Sequence, residues 1–392
     1  MVVRENYLSK IRPFIGKDII KVLTGIRRSG KSVLLEQIRD EINSPNTIFL
    51  NFEDLGNQHL CESGALHAYI CAQIGESKEQ FYLFFDEIQE VQGWEKAVNS
   101  LRVKFHADIY ITGSNSRLLS GELTTYIAGR YISFVVYPFS FTEFKAACAD
   151  GTFDDYLRYG GMPFLSSISF EPEFSKNYLQ DVFNSVVLKD IIKRNSIRDV
   201  DLLERIISYA MANVGRSFSA TSISKFFKAE NRTAAPETIL NYLKACEEAY
   251  LLYRLKSQDL HGKKMLMVNE KYYVADHGLR EAVIGENLQN VELILENIVG
   301  LELLRRGYNV CVGRAGTKEI DFVGEKQGGK LYVQVCYLLS DQSTIEREFG
   351  SLLEVRDNYP KIVLYQEGSF RGNYEGIPAV KIEDWLMGTA LM

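Results

Sequence analysis

Gly25-Ile26-Arg27-Arg28-Ser29-Gly30-Lys31-Ser32 combines two glycines, a lysine and a hydroxyl residue in the order G-x-x-x-x-G-K-S. Just upstream, Asp18-Ile-Ile-Lys-Val-Leu-Thr reads as a short apolar strand. Just downstream, Val33, Leu34, Ile38 and Ile42 recur near the helical period. Strand, glycine-containing turn and helix is the setting in which this octet works as a phosphate-binding P-loop. Gly25 and Gly30 let the backbone turn sharply, so that several N–H groups converge on phosphate oxygens, and the helix start adds its positive dipole end. Lys31 is then expected to reach the β- and γ-phosphates of ATP, and the Ser32 hydroxyl to ligate Mg2+. Ser29 lies inside the loop, and Arg27 and Arg28 are further phosphate contacts or simply solvent-facing side chains.

Three other stretches supply the partners such a loop needs. Phe81-Tyr-Leu-Phe-Phe-Asp86-Glu87 is an apolar run ending in two carboxylates. An unbroken apolar run suits a parallel strand buried on both faces. At its end Asp86 is expected to hold the magnesium-bound water shell, and Glu87 to act as general base on the attacking water. Ala107-Asp-Ile-Tyr-Ile-Thr-Gly-Ser114-Asn115-Ser116 is another apolar strand running into small polar residues, so either Ser114 or Asn115 is placed to sense the γ-phosphate. Thr47-Ile-Phe-Leu-Asn-Phe-Glu-Asp supplies one more strand. Strands alternating with helical segments indicate an α/β layered architecture.

The order of P-loop, Phe-Phe-Asp86-Glu87, Thr112-Gly-Ser114-Asn-Ser, Gly129-Arg130-Tyr and Tyr137-Pro-Phe-Ser-Phe-Thr-Glu-Phe resembles a group of prokaryotic AAA-type ATPases that carry a C-terminal region of unknown function. The resemblance implies that Ser114 or Asn115 is the sensor and that Arg130 is an arginine finger, neutralising charge on the transferring phosphoryl group. A finger acting in trans implies a homo-oligomer.

The rest of the chain reads as two further domains, giving boundaries of 1–150, 151–285 and 286–392. Gly160-Gly161-Met-Pro163 is a turn-rich break and a candidate hinge. Ser219–Lys228 and Pro236–Ala249 read as helices, followed by extended runs on either side of Gly262-Lys263-Lys264. Helix, turn, helix and β-hairpin is a winged-helix pattern. It offers Thr233, Thr238 and Asn241 to a DNA groove and Lys263 and Lys264 to phosphate, although Glu237, Glu247 and Glu248 oppose a polyanion.

Val291–Arg306 reads as an amphipathic helix bearing Glu296. Strands bearing Asp321 and Gln334-Val-Cys336 follow. This succession resembles the restriction-endonuclease-like fold, in which acids from the helix and both strands bind magnesium and a lysine assists water. Here Glu296 and Asp321 match, Gln334 stands for the third acid and Cys336 for the lysine. A neutral amide binds a hard cation poorly and a thiol supplies no fixed charge, so an inactive nuclease-like domain is expected.

Composition sets the outer limits. The chain has 392 residues, 46% hydrophobic and 24% charged, with a net charge of −6, so a global basic field for nucleic acid is absent and any such contact must be local. The six cysteines form no C-x-x-C pair and read as reduced buried thiols. No run reaches the length of a membrane span, and the N-terminus is charged, so a cytoplasmic protein is expected. Three readings remain: an ATPase driving a module that binds nucleic acid, a nucleotide-dependent protein-interaction switch with little turnover, and an ATP-driven nuclease.

Overall fold

The computed structural model describes residues 2–119, 129–168, 170–260, 262, 264–285 and 287–389. The chain divides into two compact units, residues 1–138 with 248–250, and residues 139–247 with 251–392.

The first unit is a five-stranded parallel sheet in the order β2-β3-β4-β1-β5. The strands are β1 (Ile20–Thr24), β2 (Thr47–Asn51), β3 (Phe81–Asp86), β4 (Ala107–Gly113) and β5 (Tyr131–Val135). The helices are α1 (Glu5–Ile11), α2 (Lys31–Ile42), α3 (Ser63–Ile74) and α4 (Trp94–Lys104). Alternate strand residues feed two cores, as expected of a sheet covered on both faces. Leu23, Phe84 and Tyr110 pack with Tyr7, Leu8, Leu34 and Ile38 on one side. Val22, Leu83, Phe85 and Ile111 pack with Leu66, Ile70, Trp94 and Val98 on the other.

Register then decides where the polar residues go. Asn51 pairs with Asp86, Leu23 with Thr112 and Thr24 with both Gly113 and Val135. Because every strand is parallel, the carboxyl ends of β1, β2, β3 and β4 share one edge of the sheet, where ligands of such folds bind.

The second unit is built on a nine-stranded mixed sheet, β13-β14-β12-β11-β10-β9-β7-β8-β6. Its strands are β6 (Ser217–Phe218), β7 (Leu252–Asp259), β8 (Lys264–Val274), β9 (Asn309–Ala315), β10 (Lys318–Lys326), β11 (Gly329–Leu338), β12 (Lys361–Glu367), β13 (Gly372–Tyr374) and β14 (Ile377–Lys381). The helices are α5 (Phe141–Ala147), α6 (Phe153–Tyr159), α7 (Pro172–Ser185, continuing as a π-helix over Val186–Lys193), α8 (Val200–Ala212), α9 (Ala220–Ala229), α10 (Pro236–Glu248), α11 (His277–Ile284), α12 (Val291–Arg305), α13 (Gln342–Leu353) and α14 (Ile382–Met387).

The order α9, α10, β7, β8 follows the helix, helix, hairpin reading of the sequence. The hairpin is also tied along β7 to β9, through Ser257–Val312 and Asp259–Arg314, so one sheet runs through both of the segments read as 151–285 and 286–392.

Two expectations are corrected here. The Gly160-Gly161 turn is a packed joint, not a hinge. Gly161 N–H donates to Asp276 Oδ2 at 2.7 Å, and a Cβ at Gly161 would stand 2.2 Å from the Phe139 carbonyl oxygen. Helix α12 is not amphipathic. Ile294, Leu295, Ile298, Val299, Leu301 and Leu303 are all buried, because the helix is enclosed by β8 to β11 on one side and by α6 and α11 on the other.

Candidate nucleotide-binding site

The P-loop leaves β1 at Thr24 and closes at the first turn of α2. Gly25 is held at φ 141°, and a side chain there would put its Cβ 2.2 Å from the Val136 carbonyl oxygen, so the turn against β5 requires glycine. Gly30 caps α2 at φ 92° with no side-chain bond to the helix end, leaving those N–H groups for an anion. Lys31 is buried, and its ammonium donates to the carbonyls of Gly25 and Ile26, both at 3.1 Å. The Ser29 hydroxyl is buried with no hydrogen-bond partner among the described residues.

The two loop arginines part company. Arg27 is buried and donates to Glu53 Oε1 at 2.9 Å, whereas Arg28 is exposed at φ 68°.

Sheet order puts β4 between the P-loop strand and the strand of the acidic pair. Thr112 of β4 uses that position. Its hydroxyl donates to Asp86 Oδ1 at 2.5 Å and accepts from the Glu87 amide at 2.8 Å. The Asn51 amide donates to the other Asp86 oxygen at 3.0 Å. Fully buried Asp86 is thus fixed from both neighbouring strands. Glu87 sits in left-handed backbone at φ 53°, which turns it out of the strand direction. One of its oxygens lies 3.9 Å from the Lys31 ammonium and the other accepts from the Gln89 amide. Ser114 and Asn115 are both buried at the end of β4. Lys31, Asp86, Glu87, Ser114 and Asn115 therefore gather at one sheet edge.

Several site residues have no signal in the sequence that separates them from ordinary strand residues. Thr112 and Asn51 are polar positions at strand ends, and only strand order reveals what they touch. Arg4 is buried in the N-terminal segment. It donates to the carbonyls of Ser29 (3.0 Å) and Tyr137 (2.9 Å) and lies over the Tyr7 ring, clamping the back of the P-loop.

Arg130 is not at this edge. It precedes β5, its backbone carbonyl accepting from Ile20 at the start of β1, and its exposed guanidinium donates to Asn99 Oδ1 at 2.9 Å. The length of β5, about 15 Å, separates it from the P-loop edge of its own chain.

Residues 17–145 match the family described as AAA domain, and residues 150–290 match that described as domain of unknown function (DUF8612). An uncharacterised protein of Haemophilus influenzae is 40% identical over 400 residues, covering 99% of each chain. The chain belongs to the AAA-type ATPase family. A second relative, an uncharacterised protein of Methanocaldococcus jannaschii, is 30% identical over 98% of this chain and 91% of its own. The solved Walker-type ATPase of Pyrococcus abyssi is similar in fold to this AAA protein, with a TM-score of 0.50 at 15% identity, covering 72% of this chain and 96% of that one.

The remaining sequence-derived positions lie in the second unit. Thr238 is half-buried and Asn241 exposed on α10, and Thr233 is exposed just before it. Lys263 lies outside the described residues, and Lys264 is described only as backbone of β8. Glu296 and Asp321 do converge, 2.8 and 3.8 Å from the ammonium of Lys271 of β8. Gln334 stays beside them, its carbonyl oxygen 3.4 Å from the Asp321 amide. Cys336, two positions along β11, lies close enough for the Asp321 charge to act on its thiol. It packs in the core with Ile345 and Phe349, where burial pushes its thiol well above the usual range. Among the described residues no helix is long and apolar enough to cross a membrane.

Proposed function

We propose that this protein hydrolyses ATP to ADP and inorganic phosphate at the P-loop edge, and that this cycle drives a C-terminal module that binds nucleic acid. The observation that carries the reading is the meeting of Lys31 with Glu87, 3.9 Å apart, beside an Asp86 fixed by Thr112 and Asn51. Lys31, now bound to loop carbonyls, is the cation for the β- and γ-phosphates. The partnerless Ser29 hydroxyl and the open α2 N-terminus add donors for phosphate oxygens. Mg2+, when bound with the nucleotide, would be held through Ser32 and Asp86 and would neutralise charge on the phosphates. Glu87 accepts a proton from water as the water oxygen bonds to the γ-phosphorus and the bond to the β-bridging oxygen breaks. Ser114 or Asn115 orients that water. Arg27 and Arg28 have separate parts, Arg27 holding Glu53 beside the loop and Arg28 free to meet phosphate from the outside.

Arg130 completes the site as a finger only from a second copy of the chain, because its own P-loop lies at the far end of β5. Thr238 and Asn241 of a winged helix, with Lys263 and Lys264 of its wing, are the proposed nucleic-acid contacts. The net charge of −6 favours a second reading, in which nucleotide state gates a protein partner and turnover is low.

The test is ATP turnover and nucleotide binding measured on three proteins. Lys31→Ala should lose both, and Glu87→Gln should bind ATP while turnover falls roughly 100-fold or more. Full turnover in Lys31→Ala would sink the ATPase reading. Salt-sensitive binding of duplex DNA would favour the nucleic-acid module over the protein-interaction switch.

A further inference from the structure

Three acidic residues of the second unit come together from two elements. Glu296 comes from α12, and Glu319 and Asp321 come from β10, two positions apart and hence on one strand face. The ladder between β9 and β10 slips between Ile320 and Val323, which re-aims the strand at Asp321. The nearest cation is supplied by β8. The Lys271 ammonium lies 2.8 Å from Glu296, 2.9 Å from Glu319 and 3.8 Å from Asp321, and only 3% of the residue is exposed. The other donors are fixed too. Tyr273 OH donates to the same Glu296 oxygen at 2.6 Å, and the Val335 amide to Asp321 Oδ2 at 2.9 Å. Gly215 closes over the cluster, so near that a Cβ there would meet Glu296 at 3.0 Å.

We infer that the Lys271 ammonium stands in the place of a divalent cation among Glu296, Glu319 and Asp321, so that this carboxylate cluster is closed by a charge built into the chain. A carboxylate set this enclosed needs a positive charge at its centre, because carboxylates packed together out of water repel. A lysine head meets that need without coordination geometry and without a bound water to activate. The arrangement is stable only while the lysine stays. Among the described residues no group of His, Cys, Asp and Glu is set to hold a metal. A cluster closed in this way counts against metal-dependent cutting on grounds independent of Gln334 and of the ATPase site.

The decisive experiment uses the nucleotide-free full chain with Mn2+ as probe, followed by calorimetry and thermal melting. The unaltered chain should show no Mn2+ binding that Asp321→Asn removes. Lys271→Met should melt several degrees lower in metal-free buffer, should gain one Mn2+ site, and should regain its melting temperature with Mn2+. Adding Glu296→Gln and Asp321→Asn to Lys271→Met should abolish the gained site. If Lys271→Met alone does not fold, Lys271→Met with Glu296→Gln and Glu319→Gln decides. Recovery of folded protein supports the inference, and failure to recover overturns it. Mn2+ bound by the unaltered chain and lost in Asp321→Asn would overturn it as well, as would a Lys271→Met chain that melts like the parent and ignores Mn2+.

Discussion

The Thr112 hydroxyl has one proton and two neighbours, and it serves both, giving the proton to Asp86 and a lone pair to the Glu87 amide. Thr112→Val keeps the shape and removes both bonds. A hydrogen bond to a charged group contributes about 1.5–3 kcal/mol, so turnover should fall roughly 10- to 100-fold. Affinity for ATP should change little, since Lys31 and the loop amides are untouched. A turnover number equal to the parent's would show that the carboxylates need no such support. At the same scale Gly25→Ala is expected to be far more damaging. A Cβ would lie 2.2 Å from the Val136 carbonyl oxygen at a φ of 141°, so the loop cannot keep its turn. The check is loss of ATP binding, read by fluorescent-nucleotide titration, in a protein that melts below the parent. The octet that contains Gly25 was legible because glycine spacing and a following lysine are a local code. Thr112 was not, because nothing local tells a strand threonine that touches two functional groups from one that touches none.

Helix α2 begins at Gly30 without a side-chain cap, whereas α13 begins at Asp341, whose carboxylate accepts from the Thr344 amide at 2.9 Å. Hydrogen bonds from Ser343 and Thr344 hold the Asp341 pKa down to about 2. A carboxylate whose folded pKa is depressed stabilises the fold fully above its ordinary value, and that stabilisation is lost as pH falls through about 2. Asp341→Asn should therefore narrow the difference in stability between neutral and strongly acidic solution. Acid melts of the two proteins that stay parallel down to pH 2 would contradict this. Element type was readable for the P-loop strand, the β3 run and α10, where apolar period and turn residues agree. The amphipathic reading of α12 failed because periodicity in one segment cannot count the neighbours that later enclose it.

Across the whole molecule, the nine-stranded sheet makes a prediction about where the chain can be cut. β7 pairs with β9, and Lys271 of β8 neutralises acids carried by α12 and β10. Residues 139–392 expressed alone should fold and melt cooperatively. Residues 286–392 alone should not, because β9 would lose its neighbour and the three acids their cation. Cooperative melting of the shorter piece, followed by circular dichroism, would show that the sheet is divisible near residue 285. The P-loop octet, the apolar strands and the acidic pair determined the α/β class and the AAA-type fold of the first unit, since these depend on spacings of a few residues along one chain. Tertiary structure alone decided that β4 stands between P-loop and carboxylates, that Arg4 backs the loop from the far end of the sequence, and that a lysine fills the acidic cluster. These depend on register and strand order, which bring together residues separated by 25 to more than 100 positions. At those separations pairing is set by which apolar faces bury together, and no local pattern records it.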